Sequence, residues 1–220
     1  RYRPARRTDV EALAELGARA YRVASLEQRR EFYTDHPRFG LRDVRVGELD
    51  GAIVASLVLY PFDAWVRTRR VPVAGIGSVA VSPEHRRRGI ADALLRATLR
   101  ELRVSGRALS MLAPFRDAFY RKLGSGACEI VHQFAFAPSN LAFFEEARHV
   151  RRLTPPDRVK VEALYAEVAA GSGHFALARN EAWWARRLWT YPGEWLVYER
   201  RRGAIEGYVY FEVDNSKGYH

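Results

Sequence analysis

The chain has 220 residues, of which 48% are hydrophobic and 12% aromatic, which is enough for one complete domain and part or all of a second. Its single cysteine, Cys128, excludes an internal disulfide and a cysteine-based metal cage, and the six histidines never cluster at ligand spacing, so we expect no metal. No apolar run approaches the length of a membrane span and no leader is recognisable, which predicts a cytoplasmic protein without membrane contact.

The net charge of +10, from 36 basic and 26 acidic residues, is a feature shared by many nucleic-acid-binding proteins. Here, however, the arginines are scattered through predicted helices and turns rather than gathered into one stripe. No helix-turn-helix, zinc-finger or RNA-binding aromatic signature is present. We therefore predict no nucleic-acid partner.

The first predicted elements are a helix and a hairpin. Residues 8–11, Thr-Asp-Val-Glu, form a capping box that predicts a helix N-terminus. Further on, residues 43–48 and 53–60 alternate like strands and flank Asp50-Gly51, a dipeptide typical of hairpin turns.

A buried strand and an amphipathic helix are predicted on either side of three arginines. Residues 73–81 are apolar and small, and glycine inside such a strand (Gly75, Gly77) marks a bulge or a close approach by another group. The helix begins after Gly89 and ends at Ser105-Gly106. Its apolar face is formed by Ala91, Leu94, Leu95, Thr98, Leu99 and Leu102.

The junction between this strand and helix predicts an anion-binding cradle. The free N–H groups of a helix N-terminus point at whatever occupies the preceding turn, and the arginines of residues 86–88 add positive charge. Gly89 and Ala91 would let a phosphate approach the backbone closely. The alternative, an arginine-rich solvated face on an ordinary strand–helix unit, leaves the position of the glycine unexplained.

Residues 86–91, Arg-Arg-Arg-Gly-Ile-Ala, resemble the Arg/Gln-x-x-Gly-x-Gly/Ala signature of the GNAT superfamily of N-acetyltransferases. The resemblance implies the GNAT acyltransferase fold, an α/β fold with a mixed, mostly antiparallel sheet flanked by helices. It also implies acetyl-CoA as cosubstrate, with the pantetheine arm along the strand and the pyrophosphate in the turn. The implied cofactor-binding residues are Val79, Ala80, Val81, Arg86, Arg87, Arg88, Gly89, Ile90, Ala91 and Asp92.

A second constellation, Phe-Tyr-x-x-x-Gly at residues 119–124, again resembles the superfamily, in which a tyrosine at this position lies near the thioester sulfur. Tyr120 is therefore the candidate general acid for the departing thiolate. With ordinary pKa values of about 8.5 for a thiol and about 10 for tyrosine, full proton transfer is uphill by about 2 kcal/mol. A tightening hydrogen bond, or a depressed tyrosine pKa, would suffice. The alternative is that Tyr120 only packs its ring on the core.

The proton acceptor for the attacking amine is not identifiable from the sequence. Four titratable residues lie in the stretch that the superfamily uses for its acceptor site, and each is also typical of a solvated surface. They are Glu27, Glu31, Asp35 and His36.

Two short repeats suggest an internal duplication. Val-Glu-Ala-Leu at residues 10–13 recurs at 161–164, and Gly-Ala-Ile at 51–53 recurs at 203–205. We predict an acetyltransferase domain over residues 1–138, a linker over 139–149, and the N-terminal part of a second GNAT-like domain over 150–220. The second domain would be truncated, because a second phosphate turn would fall beyond His220. Near residues 179–189 we predict a helix whose aromatic face packs on the second sheet, or alternatively stacks on a substrate ring.

Such a tandem resembles the Eis (enhanced intracellular survival) acetyltransferases. That resemblance implies acetylation of an aminoglycoside or a lysine side chain, assembly as a homo-oligomer (a hexamer in that family), and a chain-terminal carboxylate as base. It also implies direct attack by the amine in a ternary complex, without an acyl-enzyme. Two alternatives stay open: a protein or peptide N-acetyltransferase with a docking second domain, and an acetyl-CoA-binding protein without catalysis.

Overall fold

The computed structural model describes residues 1–21, 25–128, 144–172 and 174–213. The chain divides into two compact units, the first of residues 1–66 and 70–125 and the second of residues 67–69 and 126–220. The predicted linker at 139–149 lies outside the described residues as far as 143, and its limits stay a prediction. In the described ranges, no helix has the length and apolar character of a membrane-crossing segment.

The first unit contains five strands and four α-helices among its described residues. The strands are β1 (Tyr2–Pro4), β2 (Val44–Leu49), β3 (Ala52–Val66), β4 (Arg69–Val81) and β5 (Leu109–Met111). The helices are α1 (Val10–Tyr21), α2 (Leu26–Thr34), α3 (Ile90–Val104) and α4 (Asp117–Arg121).

The strands of the first unit follow one another in the order β1-β2-β3-β4-β5. β2 runs antiparallel to both β1 and β3, whereas β4 and β5 are parallel and are joined by α3, as a parallel pair requires a crossover. The sheet is therefore mixed, and the predicted GNAT type of α/β architecture is confirmed. The predicted hairpin corresponds to β2 and β3, with Gly51 at φ +82° in the turn.

Helix α3 covers the sheet with the face that its sequence periodicity predicts. Leu94, Leu95 and Leu102 are almost fully buried and pack with Leu57 of β3. Each buried leucine contributes about 1.5–3 kcal/mol relative to exposure. Thr98, also fully buried, satisfies its hydroxyl by donating to the Leu94 carbonyl at 2.8 Å. The helix ends at Val104, with Ser105 as its C-cap, followed by Gly106 at φ +75°, where the stop signal is predicted.

The two glycines in β4 make room for aromatic rings. A Cβ on Gly75 would lie 2.5 Å from the Phe62 ring, and one on Gly77 would lie 2.8 Å from the Tyr60 ring. These two β3 rings stack on each other at 5.5 Å. The next residue, Ser78, has φ +50°, which interrupts the regular extended strand. The groups that closely approach the β4 glycines are thus aromatic side chains of β3. They lie just before residues 79–81, the segment predicted to line pantetheine.

The second unit is described by itself. Its strands are β6 (Val150–Arg152), β7 (His174–Leu177), β8 (Glu194–Tyr198) and β9 (Gly207–Phe211), and β8 pairs antiparallel with β6 and β9. Its helices are α5 (Arg158–Ser172) and α6 (Glu181–Trp183), and α6 continues into a π-helical turn, Trp184–Leu188.

The aromatic helix of the second unit packs inward. Trp184 and Leu188 are buried with Val161 and Val197 in a single apolar cluster. The structure thus favours core packing over a stacking surface for a substrate ring at Trp184. Asn180 caps the helix by accepting from the Trp183 N–H at 2.8 Å.

The same ion-pair network occurs once in each unit. In the first, the Arg3 guanidinium binds both carboxylate oxygens of Asp9, at 2.6 and 3.0 Å, and also binds Glu48. In the second, Arg151 binds both oxygens of Asp157, at 2.6 and 2.9 Å, and also binds Glu199. Each aspartate lies immediately before the first long helix of its unit and accepts the N–H three residues upstream.

The offset in residue number that aligns the first long helix of each unit differs from the offset of the Val-Glu-Ala-Leu repeat. The ion-pair network makes Asp9 and Asp157 equivalent positions. By the same offset Leu13 is equivalent to Val161, and both of these side chains are fully buried. The Val-Glu-Ala-Leu repeat instead equates Leu13 with Leu164, about one helical turn away. That repeat is therefore out of structural register. The second unit's identity as a GNAT-like domain stays a prediction.

Cys128 is exposed in the structure. We would expect a lone cysteine in an apolar context to be a buried small residue, and that expectation is wrong here. The residue lies after α4, where residues 125–128 have no regular secondary structure, and no helix or strand of the described ranges covers the thiol.

Candidate active site

The β4–α3 junction presents unbonded backbone donors. Within α3, the first backbone bond runs from the Ala93 N–H to the Gly89 carbonyl at 3.0 Å. In this described part of the chain the N–H groups of Ile90, Ala91 and Asp92 therefore have no intrahelical acceptor. Gly89 has φ +76°, and nothing lies within 4 Å of where its Cβ would stand. The turn offers donors and open space to an anion, as its sequence predicts.

Three exposed arginines surround these donors. Among the described residues, Arg86, Arg87 and Arg88 form no ion pair with a carboxylate. Arg86 leans back toward β4, with its Nε 3.4 Å from the Val81 carbonyl, and Arg87 has φ +62°. The nearest acid in the helix, Asp92, is neutralised by Arg96 at 2.8 Å. The turn consequently carries a net positive charge.

Tyr120 combines a buried ring with an available hydroxyl. The residue is 4% exposed and packs in the main core cluster, edge-on to Phe115 and Phe119. Its hydroxyl has no hydrogen-bond partner among the described residues. Burial raises the pKa of Tyr120 above its ordinary value of 10.0. Assistance from a depressed tyrosine pKa is therefore not what the structure provides, and hydrogen-bond donation by the neutral hydroxyl is the arrangement that fits.

Tyr21, at the end of α1, contacts the same strand. Its hydroxyl donates to the Val79 carbonyl at 2.9 Å, and Val79 packs against the cluster that includes Tyr120. Although the side chain is 42% exposed, desolvation of the hydroxyl raises its pKa to about 12, and the hydroxyls of Tyr33, Tyr120 and Tyr60 act in the same direction. No local pattern predicts this contact, because it joins residues far apart in the sequence.

The four acceptor-side candidates lie on α2 or just after it. Glu27, Glu31 and Asp35 are exposed on or just after α2. His36 stacks on Phe39 at 4.3 Å, and its Nδ1 accepts the Arg38 backbone N–H at 3.2 Å. That bond favours the tautomer with its proton on Nε2. The base therefore stays unassigned.

A mixed sheet with a glycine turn and unbonded helix N–H groups between a strand and its following helix is the arrangement expected of an α/β acyltransferase. Residues 1–128 match the family described as acetyltransferase (GNAT) domain. The chain belongs to the GNAT acetyltransferase family, as the signature at residues 86–91 predicts.

Relatives and solved structures agree with this assignment. An uncharacterized N-acetyltransferase of Streptomyces coelicolor is 28% identical over 190 residues, which cover 78% of this chain and 45% of that protein. A probable N-acyltransferase from Enterococcus faecalis has a TM-score of 0.74 at 21% identity, over 97% of this chain and 55% of that one. Eis1 from Mycobacterium abscessus has a TM-score of 0.64 at 19% identity, over 96% of this chain and 53% of that one.

These similarities support different conclusions. The two solved structures show a shared fold that extends over nearly the whole chain, and the Eis1 structure bears out the predicted resemblance to the Eis acetyltransferases at that level. The chain spans less than half the length of the curated Streptomyces relatives that it matches. The roles of the individual site residues stay predictions.

Proposed function

We propose that this protein transfers the acetyl group of acetyl-CoA to a primary amine by direct attack. The observation that carries the proposal is the turn before α3. In the described part of the chain, the N–H groups of Ile90, Ala91 and Asp92 have no intrahelical acceptor there, and the three preceding arginines form no ion pair. A diphosphate suits this site because it accepts several hydrogen bonds at once and is doubly charged. The open space at Gly89 leaves room for it.

Tyr120 would serve the chemical step as a hydrogen-bond donor. The amine nitrogen attacks the thioester carbon, a C–N bond forms, and the C–S bond breaks with its electron pair moving to sulfur. Because the pKa of Tyr120 is raised, complete proton transfer to the thiolate is even less favourable than the about 2 kcal/mol of an ordinary tyrosine. A hydrogen bond that strengthens as charge develops on sulfur still lowers the barrier.

The acceptor and the assembly are part of the same proposal. Resemblance to the Eis acetyltransferases supports an aminoglycoside or a lysine side chain as acceptor and a homo-oligomeric, specifically hexameric, state. The single cysteine supports a cytoplasmic location. The repeated ion-pair network supports a second GNAT-like domain after residue 150.

The test combines cosubstrate binding with turnover. Calorimetry at low ionic strength should detect coenzyme A binding, and thiol release should follow when acetyl-CoA is mixed with an aminoglycoside, a polyamine or a lysine peptide. Turnover with lysine peptides alone would favour the protein-directed alternative, and binding without turnover would favour the non-catalytic one. No heat with coenzyme A in millimolar excess would contradict the proposal.

A further inference from the structure

Arg29 of α2 is a cation without a counter-ion on the acceptor side of the first unit. Its Nε is buried and has no hydrogen-bond partner, and it forms no ion pair among the described residues. The Arg29 stem packs close to Gly17 of α1, where a Cβ would lie 3.3 Å from the Arg29 Cδ. A buried guanidinium donor that lacks an acceptor is uncommon in folded proteins, and it signals an absent partner.

The aromatic contacts of Arg29 place it near β4, at the segment that contains Val79. Its Cζ lies 4.9 Å from the Tyr21 ring centroid and 5.4 Å from that of Phe32. The Tyr21 hydroxyl in turn donates a hydrogen bond to the Val79 carbonyl. One aromatic ring therefore separates the guanidinium from the strand segment that we propose for the thioester arm.

The next residue in the sequence shows what a structurally satisfied arginine looks like in this helix. Arg30 donates through Nε and Nη2 to both oxygens of Glu11, at 2.7 Å each, on an exposed surface. Among the described residues, the Arg29 guanidinium contacts the Tyr21 and Phe32 rings, its stem passes Gly17, and it pairs with no carboxylate. A planar guanidinium that lies on aromatic rings keeps its in-plane donors for a carboxylate or another planar oxyanion.

We infer that Arg29 binds a carboxylate carried by the acceptor, so that the substrate class is an amine that also bears a carboxylate, such as an amino acid. This inference rests on the proposed acetyl transfer; among the acceptors named there it favours free lysine and argues against an aminoglycoside, which carries several amines and no carboxylate. An unneutralised cation one aromatic ring away from the Val79 segment repels a polycationic amine and attracts one with an anionic group close to the reacting nitrogen. Arg29 is thus a specificity-determining residue rather than a catalytic one.

Paired acceptors that differ only in the carboxylate test the inference. Thiol release from acetyl-CoA is measured with lysine against 1,5-diaminopentane, and with tyrosine against tyramine, on the full chain. The wild type should prefer the carboxylate-bearing member of each pair by about 10-fold or more in kcat/KM, the size expected for a charge-assisted contact. Arg29→Gln should lose that preference while coenzyme A affinity stays within about twofold. Arg30→Gln is the matched control and should retain the preference.

Two further variants guard against a folding defect. Arg29→Met keeps the stem against Gly17 and should behave like the glutamine variant, whereas Arg29→Lys should restore part of the preference. Equal use of both members by the wild type, a preference for the diamine, or a preference that survives Arg29→Met would overturn the inference alone. Coenzyme A binding without thiol release from any amine would overturn the proposed function as well.

Discussion

The Tyr21 hydroxyl donates a hydrogen bond to the Val79 carbonyl across 2.9 Å, and so ties the end of α1 to β4. Val79 directly follows Ser78, whose φ of +50° breaks the strand geometry. The bond therefore fixes the backbone where the strand is least regular and where pantetheine is proposed to pair. Tyr21 is a positioning residue in this arrangement.

Tyr21→Phe should weaken acetyl-CoA use without harming the chemistry. Loss of one hydrogen bond costs about 0.5–1.5 kcal/mol, so KM for acetyl-CoA should rise about 2–10-fold with kcat nearly unchanged. Steady-state kinetics at saturating amine measures both constants. Tyr198→Phe is the control, since that hydroxyl bonds the exposed Glu146 in the second unit. A fall in kcat at constant KM would instead place Tyr21 in the proton transfer.

Tyr120→Phe should lower kcat by about 10²-fold or more. Stability should change little, because the hydroxyl makes no hydrogen bond among the described residues while the ring stays packed. Tyr33→Phe, another buried tyrosine, is the control and should keep its turnover. Rapid-quench or thiol-release kinetics measures the loss of turnover, and calorimetry with coenzyme A shows whether binding is also lost. An unchanged kcat would leave Tyr120 a packing residue.

The pH dependence of that step follows from the raised pKa of Tyr120. The donor must be protonated, and burial moves its pKa above 10.0, so the protonated form persists throughout the neutral range. Any loss of kcat from Tyr120 should therefore occur only above about pH 10. A wild-type alkaline limb near pH 8 or 9 that disappears in Tyr120→Phe would contradict this assignment.

Gly89→Ala should weaken coenzyme A binding, and α3 supplies its own control. Gly89 and Gly106 flank this helix with φ of +76° and +75°, and both would place a Cβ in open space. Alanine at either position therefore carries a similar backbone strain of about 1–2 kcal/mol and should lower the melting temperature similarly. Only the Gly89 variant should raise the coenzyme A Kd, by about 10-fold or more, because its methyl group projects where the phosphate would lie. Equal Kd values would contradict the phosphate site.

Local patterns predict the parts of this fold that depend on neighbours in the sequence. The apolar face of α3 and the glycine turn follow from residues within one helix length, and the structure bears them out. The Tyr21–Val79 bond and the unpaired Arg29 depend on contacts between distant segments, which periodicity does not encode. A usable signal did exist for the repeat: arginine and aspartate six residues apart, Arg3 with Asp9 and Arg151 with Asp157.

The Arg151–Asp157 pair should stabilise the second unit in a pH-dependent way. Asp157 is 5% exposed, and the Arg151 guanidinium holds the pKa of its carboxyl well below the usual range, with help from the Thr154 N–H and hydroxyl. A depressed carboxyl pKa contributes stability above the unfolded-state value of about 3.9, and this contribution is lost as the pH falls below it.

Arg151→Met should therefore destabilise the protein by about 2–3 kcal/mol near neutral pH, less than for a fully buried pair because Arg151 is 37% exposed. Without the guanidinium, the carboxyl pKa returns toward its usual range, so the deficit should shrink as the pH approaches about 3. Urea unfolding followed by tryptophan fluorescence measures this difference in the free energy of unfolding. The signal reports on the second unit, which contains Trp183, Trp184, Trp189 and Trp195. Arg152→Met, at an exposed neighbour 3.8 Å from Glu194, should cost almost nothing. A deficit that stays constant with pH would mean that Arg151 acts through the packing of its stem rather than through its charge.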